Sequence, residues 1–554
     1  MIVWTLLNLL AYIGYGQFIR RIAKKNLAPW PFAGVIGISC LLAIGGYLNL
    51  AHYLTRAVLG GAIALGLCLW LLSYRDQPPK IFEGIRDFQG DIRFSPWKLS
   101  VSLVAVGLIA GAFFGNLVRS RFNPADDLIA YAGYAVQTSQ LGTLPADPFG
   151  DRRIVSGLGS GYLLQAITLV FGDARSIYVP DVSLGYLLAF AAAYFIARRK
   201  LSRQMSLSIG LLVFIFAVYV SNATFYILPE ALVLTLFWMA TEQPAPSPSW
   251  SFTSASIGVV AAALATLKST YIPFSVLFCS FLFLSYLLLY QSRYILRGAL
   301  ACAGGAAVVM LPWMYDQHIK EGTWLFPLLG RGFDVSAYPG LKLGGGRQGL
   351  LTLRWDVWEM SLPFIALWTV IFVFLLARRG SRRDGAFAAI LAGVCSACLG
   401  TLALNAATGA DSVTRYTAPF QVPIVIALVV VLCEWMQEEQ WALTRLAGLA
   451  VTTAALSVFF IWNGDIRQGM LRQYIDFVDP GAPTDTNINV AIDYADIMKT
   501  THSLQNSVPI QETIFAATYP SFGFDALRNR ILTADFLGMA GPPPVHRLRR
   551  IVTG

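Results

Sequence analysis

LSVSLVAVGLIAGAFFGNLV (99–118) runs directly into RSRFNPADDLIAYAGY (119–134). The first segment is apolar and long enough to cross a hydrocarbon core about 30 Å thick. The second turns polar at once and carries an acidic pair, Asp126 and Asp127. The polar stretch continues through DPFGDRRIVSGLGSGYLLQA (147–166), with Arg152 and Arg153, and ends at another apolar run near 178–197. Acid and base gathered in one loop, 119–176, at a membrane surface point to chemistry on a charged, lipid-linked substrate.

The rest of the chain agrees with that class. Of its 554 residues 56% are hydrophobic and only 13% charged. Apolar runs of spanning length recur near 2–19, 29–48, 55–73, 98–118, 178–197, 205–221, 226–240, 254–268, 271–290, 297–312, 359–377, 386–404, 417–434 and 444–462. The expectation is an all-α polytopic membrane protein with about fourteen transmembrane helices, of which 226–240 and 254–268 are the shortest. Alternate loops hold the cations: Arg20, Arg21, Lys24 and Lys25; Arg75 to Arg93; Arg198, Arg199, Lys200 and Arg203; Arg293 and Arg297; Arg378 to Arg383. Positively charged short loops stay in the cytoplasm, so the N-terminus and the loops 119–176 and 313–358 are expected outside, together with the tail 463–554. The net charge of +10 is then a topology signal. Nucleic acid is not an expected partner, because the cations are dispersed among loops and not concentrated on one surface.

Several chemistries lack their residues. The chain has no HExxH, GxSxG or Walker loop, and its four histidines are scattered. Its seven cysteines lie in or beside spans, and Cys395-x-x-Cys398 has no second pair to complete a zinc site. That leaves the carboxylates. Asn123-Pro124-Ala125-Asp126-Asp127 reads as a helix start, with Asn as N-cap and two acids against the positive end of the dipole. The same placement keeps Asp126 ionised, able to take a proton from a hydroxyl or to hold a divalent cation. Adjacent helical residues point about 100° apart, so one acid is expected to do chemistry while its neighbour caps or orients. The stretch SGLGSG after Arg152 and Arg153 reads either as a phosphate site at a helix start or as a tight turn with arginines reaching for headgroups. Gly-rich GLKLGGGRQG (340–349) lacks the strand-to-helix setting of a nucleotide cradle and reads as a lid or acceptor loop.

The outer loop opening on Asp126 and Asp127 with Tyr131 after them, followed by about ten further spans, resembles the GT-C superfamily of integral-membrane glycosyltransferases. Three more segments carry the resemblance: Ala265-Thr266-Leu267-Lys268-Ser269-Thr270 between two spans, PWMYDQHIKEGTWLFPLLG (312–330) as an outer-loop segment, and Arg415-Tyr416 followed by Pro419 at the start of a late span. The resemblance covers roughly 98–462 as the catalytic module. The region 1–97, with three extra spans, precedes it. The acidic pair departs from the Asp-Glu of many relatives.

What the resemblance implies is a polyprenyl-phosphate-linked sugar as donor, transferred with inversion on the outer face of a bacterial inner membrane to a lipid or glycan acceptor. Asp126 matches the general base, and Asp127 a second acidic contact. Either one could serve as ligand if a cation (Mg or Mn) takes part, and no other cofactor is implied. Arg152, Arg153, Lys268 and Arg415 match groups that neutralise the leaving phosphate, and Tyr131, Trp313 and His318 match groups that position the acceptor. The tail, with SVPIQETIFAATYP and FDALRNRILTADFLG, resembles the small soluble domain that ends some members; helices near 467–477 and 488–503 and a strand at 512–518 predict a small α/β cap. Two rivals stay open: a polymerase or ligase of lipid-linked glycans, and a secondary transporter, whose internal repeats and midplane charges are not evident.

Overall fold

The computed structural model describes residues 1–75, 96–115, 117, 121–123, 126–147, 157–216, 222–242, 250–290, 292–322, 324–325, 367–369, 371–372, 385–408, 413–438, 490–516 and 520–533. In chain order the helices that build the bundle are α1 (Ile2–Ile22), α2 (Trp30–Leu50), α3 (Arg56–Tyr74) and α4 (Pro96–Gly115), then, within the outer loop, α5 (Ala132–Leu141) and α6 (Ser160–Thr168). They continue with α7 (Leu184–Arg198), α8 (Arg203–Phe216), α9 (Ile227–Thr241), α10 (Trp250–Leu267), α11 (Ile272–Tyr290), α12 (Tyr294–Glu321), α13 (Gly385–Thr408) and α14 (Val413–Glu438). The described residues contain nine helices long and apolar enough to cross a membrane, plus three shorter apolar ones at 100–115, 203–216 and 227–241. These twelve fall where the sequence places spans. The two expected at 359–377 and 444–462 lie wholly or mostly outside the described residues.

Small residues let the helices meet. Gly16 of α1 and Gly37 of α2 sit against the backbone of the facing helix at Ala33 and Tyr12, where a Cβ would collide. Gly258 of α10 and Gly305 of α12 do the same at Cys302 and Ala255. Apolar tails of lipid give no hydrophobic incentive for helices to associate, so such close backbone approach is the usual source of attraction.

The bundle has two chemically different ends. At one, Arg20 and Arg199 both face Glu242 (3.8 and 3.7 Å), Lys200 pairs with Glu434 (2.8 Å), and Arg21 donates to the carbonyl of Leu72. Cations of two of the basic loops, 20–25 and 198–203, therefore lie together about Glu242. The opposite end of α9 begins at Tyr226 and Ile227, where Asp181 receives three backbone N–H groups, from Tyr226 (2.9 Å), Ile227 (2.9 Å) and Leu228 (2.8 Å). Those are orphan donors of a helix start, and a carboxylate from another segment satisfies them.

One element differs from the sequence reading. The segment with Trp313 and His318 was expected to open an outer loop at 313, but α12 continues through Pro312 to Glu321 and stops at Gly322, whose φ of 69° closes the helix in the left-handed conformation. Glycine can adopt that backbone at little expense. Helix end and hydrophobic end thus do not coincide.

The tail folds against the outer loop. Strand β1 (Arg121–Phe122) pairs antiparallel with β2 (Val490–Ala491). Helix α15 (Tyr494–Asn506) follows, capped by the Asp493 side chain, then β3 (Thr513–Ala516) and β4 (Arg530–Thr533), which pair in parallel. The helix Tyr494–Asn506 and the strand Thr513–Ala516 overlap the expected 488–503 and 512–518, but 490–491 is strand and not helix; 467–477 lies outside the described residues. Buried Asp147 clamps this segment down. It accepts from Tyr134 Oη (3.1 Å), Thr533 N–H (2.8 Å) and Thr533 Oγ1 (2.6 Å). Phe522, stacked between Phe122 and Tyr494, joins the same apolar cluster as the bundle.

Candidate active site

The acidic pair begins a π-helical turn, Asp127–Tyr131. Asn123 caps it as the sequence suggests: its Oδ1 accepts the Asp126 N–H at 3.0 Å, and Asp127 Oδ2 returns the favour by accepting the Asn123 N–H at 3.0 Å. Five-residue backbone bonds follow, from Leu128 N–H to Asn123 O (3.2 Å) and from Tyr131 N–H to Asp126 O (3.1 Å). A second π turn, Val179–Ser183, contains Asp181 and starts just after Tyr178. Such turns are rare and are found disproportionately at functional sites.

The two acids have different surroundings. Asp127 is fully buried and accepts from Asn123 N–H, from Ala223 N–H (2.7 Å) and from the Tyr178 hydroxyl. Burial pushes its carboxyl up to about 6, outweighing those three donors, and the neighbouring Asp126 charge pushes the same way. Asp126 is half-buried, and its Oδ2 accepts from the Asn222 side-chain nitrogen. Asn222 Oδ1 is engaged in turn by Thr224 through Oγ1 (2.6 Å) and N–H (3.3 Å). That arrangement fixes the amide with its NH₂ toward Asp126.

Beside the pair lies a narrow cleft, partly open to solvent, whose walls include Tyr131, Tyr162, Gln165, Thr224, Phe225 and Lys268. Asp126 stands one residue behind this wall, through its bond to Tyr131 and through Asn222, the neighbour of Ala223. Lys268 follows the C-terminal end of α10. Its Nζ donates to Tyr226 Oη (3.2 Å) and lies 4.7 Å from the Tyr226 ring centre and 4.6 Å from that of Tyr416. Two ring faces and the Asp181 carboxylate in electrostatic reach hold the ammonium at a helix junction where it is half-buried. Gly157 and Gly161, at the start of α6, line the same cleft.

The structure therefore brings Asp126, Asp127, Tyr131 and Lys268 into one neighbourhood, with Tyr416 of the Arg-Tyr motif. Arg152, Arg153 and the side chain of Arg415 lie outside the described residues. Trp313 and His318 do not join the group. Trp313 is fully buried and donates to Leu42 O (3.0 Å), packing α12 on α2, while His318 stacks on Trp324 with ring centres 4.2 Å apart. Both are helix residues because α12 outlasts its apolar stretch. Sequence reading missed Tyr178, Asp181, Asn222 and Gln165. The signal available for Asn222 was the polar SNAT before an apolar run too short for an ordinary span.

Among the described residues no cluster of three or more His, Cys, Asp or Glu side chains could hold a metal ion. Asn222 also presents a donor where a cation would need an acceptor.

No family model matches the sequence, and no curated protein matches it. Among solved structures it is similar to the archaeal oligosaccharyltransferase AglB from Archaeoglobus fulgidus in complex with an inhibitory peptide and a dolichol-phosphate, at 10% identity and a TM-score of 0.36, over 80% of this chain and 65% of that one. It is similar also to the Archaeoglobus fulgidus oligosaccharyltransferase tethered by a disulfide to an acceptor peptide containing the NVT sequon, at 11% identity and a TM-score of 0.38, over 80% and 64%. The likeness is slight. The chain spans a little under two thirds of the length of either archaeal chain.

Proposed function

We propose that the protein is a membrane glycosyltransferase that moves a sugar from a polyprenyl-phosphate donor to an acceptor hydroxyl or amine at the membrane surface, with inversion. The observation that carries this reading is a half-buried carboxylate, Asp126, set behind one wall of an aromatic cleft whose lining includes Lys268. A base and a cation flanking one cleft suit a reaction in which a proton is lost and an anion departs.

In the proposed step the acceptor oxygen or nitrogen forms a bond to the anomeric carbon. The bond from that carbon to the phosphate oxygen breaks, its electron pair stays on the phosphate, and the acceptor proton passes to Asp126. Lys268 takes up the charge that develops on the departing phosphate, aided by the backbone N–H groups at the start of α6. Phosphate is a competent leaving group, so positioning and charge stabilisation supply most of the acceleration. Asp127 has its lone pairs occupied by three donors and orients the pair. The dolichol-phosphate in one archaeal structure belongs to the same class of lipid phosphate, at a likeness too slight to add weight.

The test uses purified protein in lipid nanodiscs with a radiolabelled polyprenyl-phosphate monosaccharide and a total-lipid acceptor extract. Transfer of single sugars with release of polyprenyl phosphate is the expected result. En bloc transfer of a polymer would replace this reading with the ligase, and proteoliposome uptake without covalent product would replace it with a transporter.

A further inference from the structure

We infer that Gln165 reads a hydroxyl group of the transferred sugar, which makes it a specificity-determining residue. The inference rests on the glycosyl-transfer reading above.

Gln165 lies on α6, is 1% exposed, and contributes to the wall of the cleft. Its Nε2 donates to the carbonyl of Ala223 at 2.7 Å, which fixes the amide: the NH₂ end is turned to Ala223 and the Oε1 end is left over. That Oε1 has no hydrogen-bond partner. Buried polar atoms are nearly always satisfied, and an exception asks for an explanation. Other buried side chains in the described residues also have unpartnered atoms, among them Asn8, Gln137 and Glu230, but only Gln165 combines that state with a place in the cleft wall.

The position is held with respect to the chemistry. Ala223 gives its N–H to Asp127 and takes its carbonyl bond from Gln165, so one residue couples the amide to the acidic pair. Beside it, the Tyr131 and Tyr162 rings sit with centres 6.2 Å apart and planes tilted by 31°, giving apolar faces against which the C–H face of a sugar packs. An acceptor whose amide is held by Ala223, in a cleft wall that also includes the two tyrosines and Lys268, suits a hydroxyl donor on a ring whose anomeric phosphate lies at the ammonium.

The experiment offers full-length protein in nanodiscs a panel of farnesyl-phosphate-linked mannose, glucose, galactose and arabinose, then monodeoxy analogues of whichever sugar is transferred. For the wild type, kcat/KM is expected to fall by roughly a hundredfold or more for one deoxy position. In Gln165→Met, which keeps length and loses the acceptor, the ratio at that position should shrink to within a few-fold while the ratios at other positions persist. Gln165→Glu, which keeps an acceptor oxygen, should retain part of the discrimination. Unchanged ratios in Gln165→Met, or an equal loss against every analogue, would overturn the assignment. Should Gln165→Met not fold, as judged by its melting profile, Gln165→Leu, which also lacks an acceptor, is measured instead, with the same two outcomes deciding. Absence of transfer from every panel member by the wild type would refute the glycosyl-transfer reading itself and the Gln165 assignment with it.

Discussion

The Tyr178 hydroxyl donates to the buried carboxyl of Asp127, and this contact ties the first π turn to the residue that opens the second. Ala223 completes the join from a third segment. Asp127 therefore holds three pieces of chain in place, and Asp126 beside it is left half-buried, facing an amide.

Exchange of the two acids for amides should accordingly give opposite defects. Asp126→Asn keeps shape and removes the proton acceptor, so turnover should fall by about 10²–10⁴-fold with melting temperature nearly unchanged. Asp127→Asn sets an NH₂ among donors and should lower stability by about 1–3 kcal/mol, with a smaller direct effect on chemistry. Turnover and thermal unfolding measured on both variants check the division; turnover above about a tenth of wild type in Asp126→Asn would remove it as base.

The Asp127 carboxyl also gives stability a pH dependence. Its folded value of about 6 lies above the ordinary 3.8, so the folded protein binds the extra proton between those pH values. The contribution is fully present below about 3.8 and is lost as pH rises through about 6, roughly 3 kcal/mol in all. The difference in stability between wild type and Asp127→Asn, followed by thermal unfolding from pH 4 to 7, should shift in that direction. A difference independent of pH would contradict it.

Lys268→Met should lower kcat/KM for the donor by about ten- to hundredfold, the loss of one or two charge-assisted contacts. A surface role at the headgroups would leave donor kinetics unchanged, so the measurement separates the two roles.

Asp147→Ala should free the tail without touching the acids. Three donors lose their acceptor, and hydrogen exchange at 513–516 and 530–533 should quicken by about ten- to hundredfold while that of α9 does not change. Equal exchange in both proteins would mean that Phe522 and the β1–β2 pairing suffice.

Sidedness is open to a direct check. In a variant without native cysteines, Leu527→Cys, at a residue 71% exposed on the tail, should react with an impermeant thiol reagent outside sealed cells. Ser202→Cys, at the basic end, should not. The opposite pattern would invert the topology.

Much of the fold is legible in the sequence because its signals are local. Apolar length fixes the helices, the cations of 20–25 and 198–203 gather at one end as their alternation suggests, and Asn123 caps the turn that a reader of 123–127 expects. What escapes is what distance in sequence conceals. Nothing near Asp181 reveals that it caps a helix beginning at Ile227, and nothing near Asp147 reveals Thr533. The end of α12 differs from the reading for a related reason: hydropathy falls at Pro312, but hydrogen bonding persists to Gly322, since a helix leaving the apolar zone needs no apolar side chains. Asn222 could be noticed only once the short span after it had been taken seriously.

The π turn at Asp127–Tyr131 makes the aim of the acidic pair a matter of phase. A turn closed by five-residue bonds holds one residue more than an α turn, so within a helical path it acts as a built-in insertion. Removing a single residue there, whatever its side chain, would advance everything on one side by about 100° relative to the other. Asp126 would keep its chemistry and lose Asn222. A chain of this architecture one residue shorter in 127–131 would have to place its base at another position to reach the same cleft.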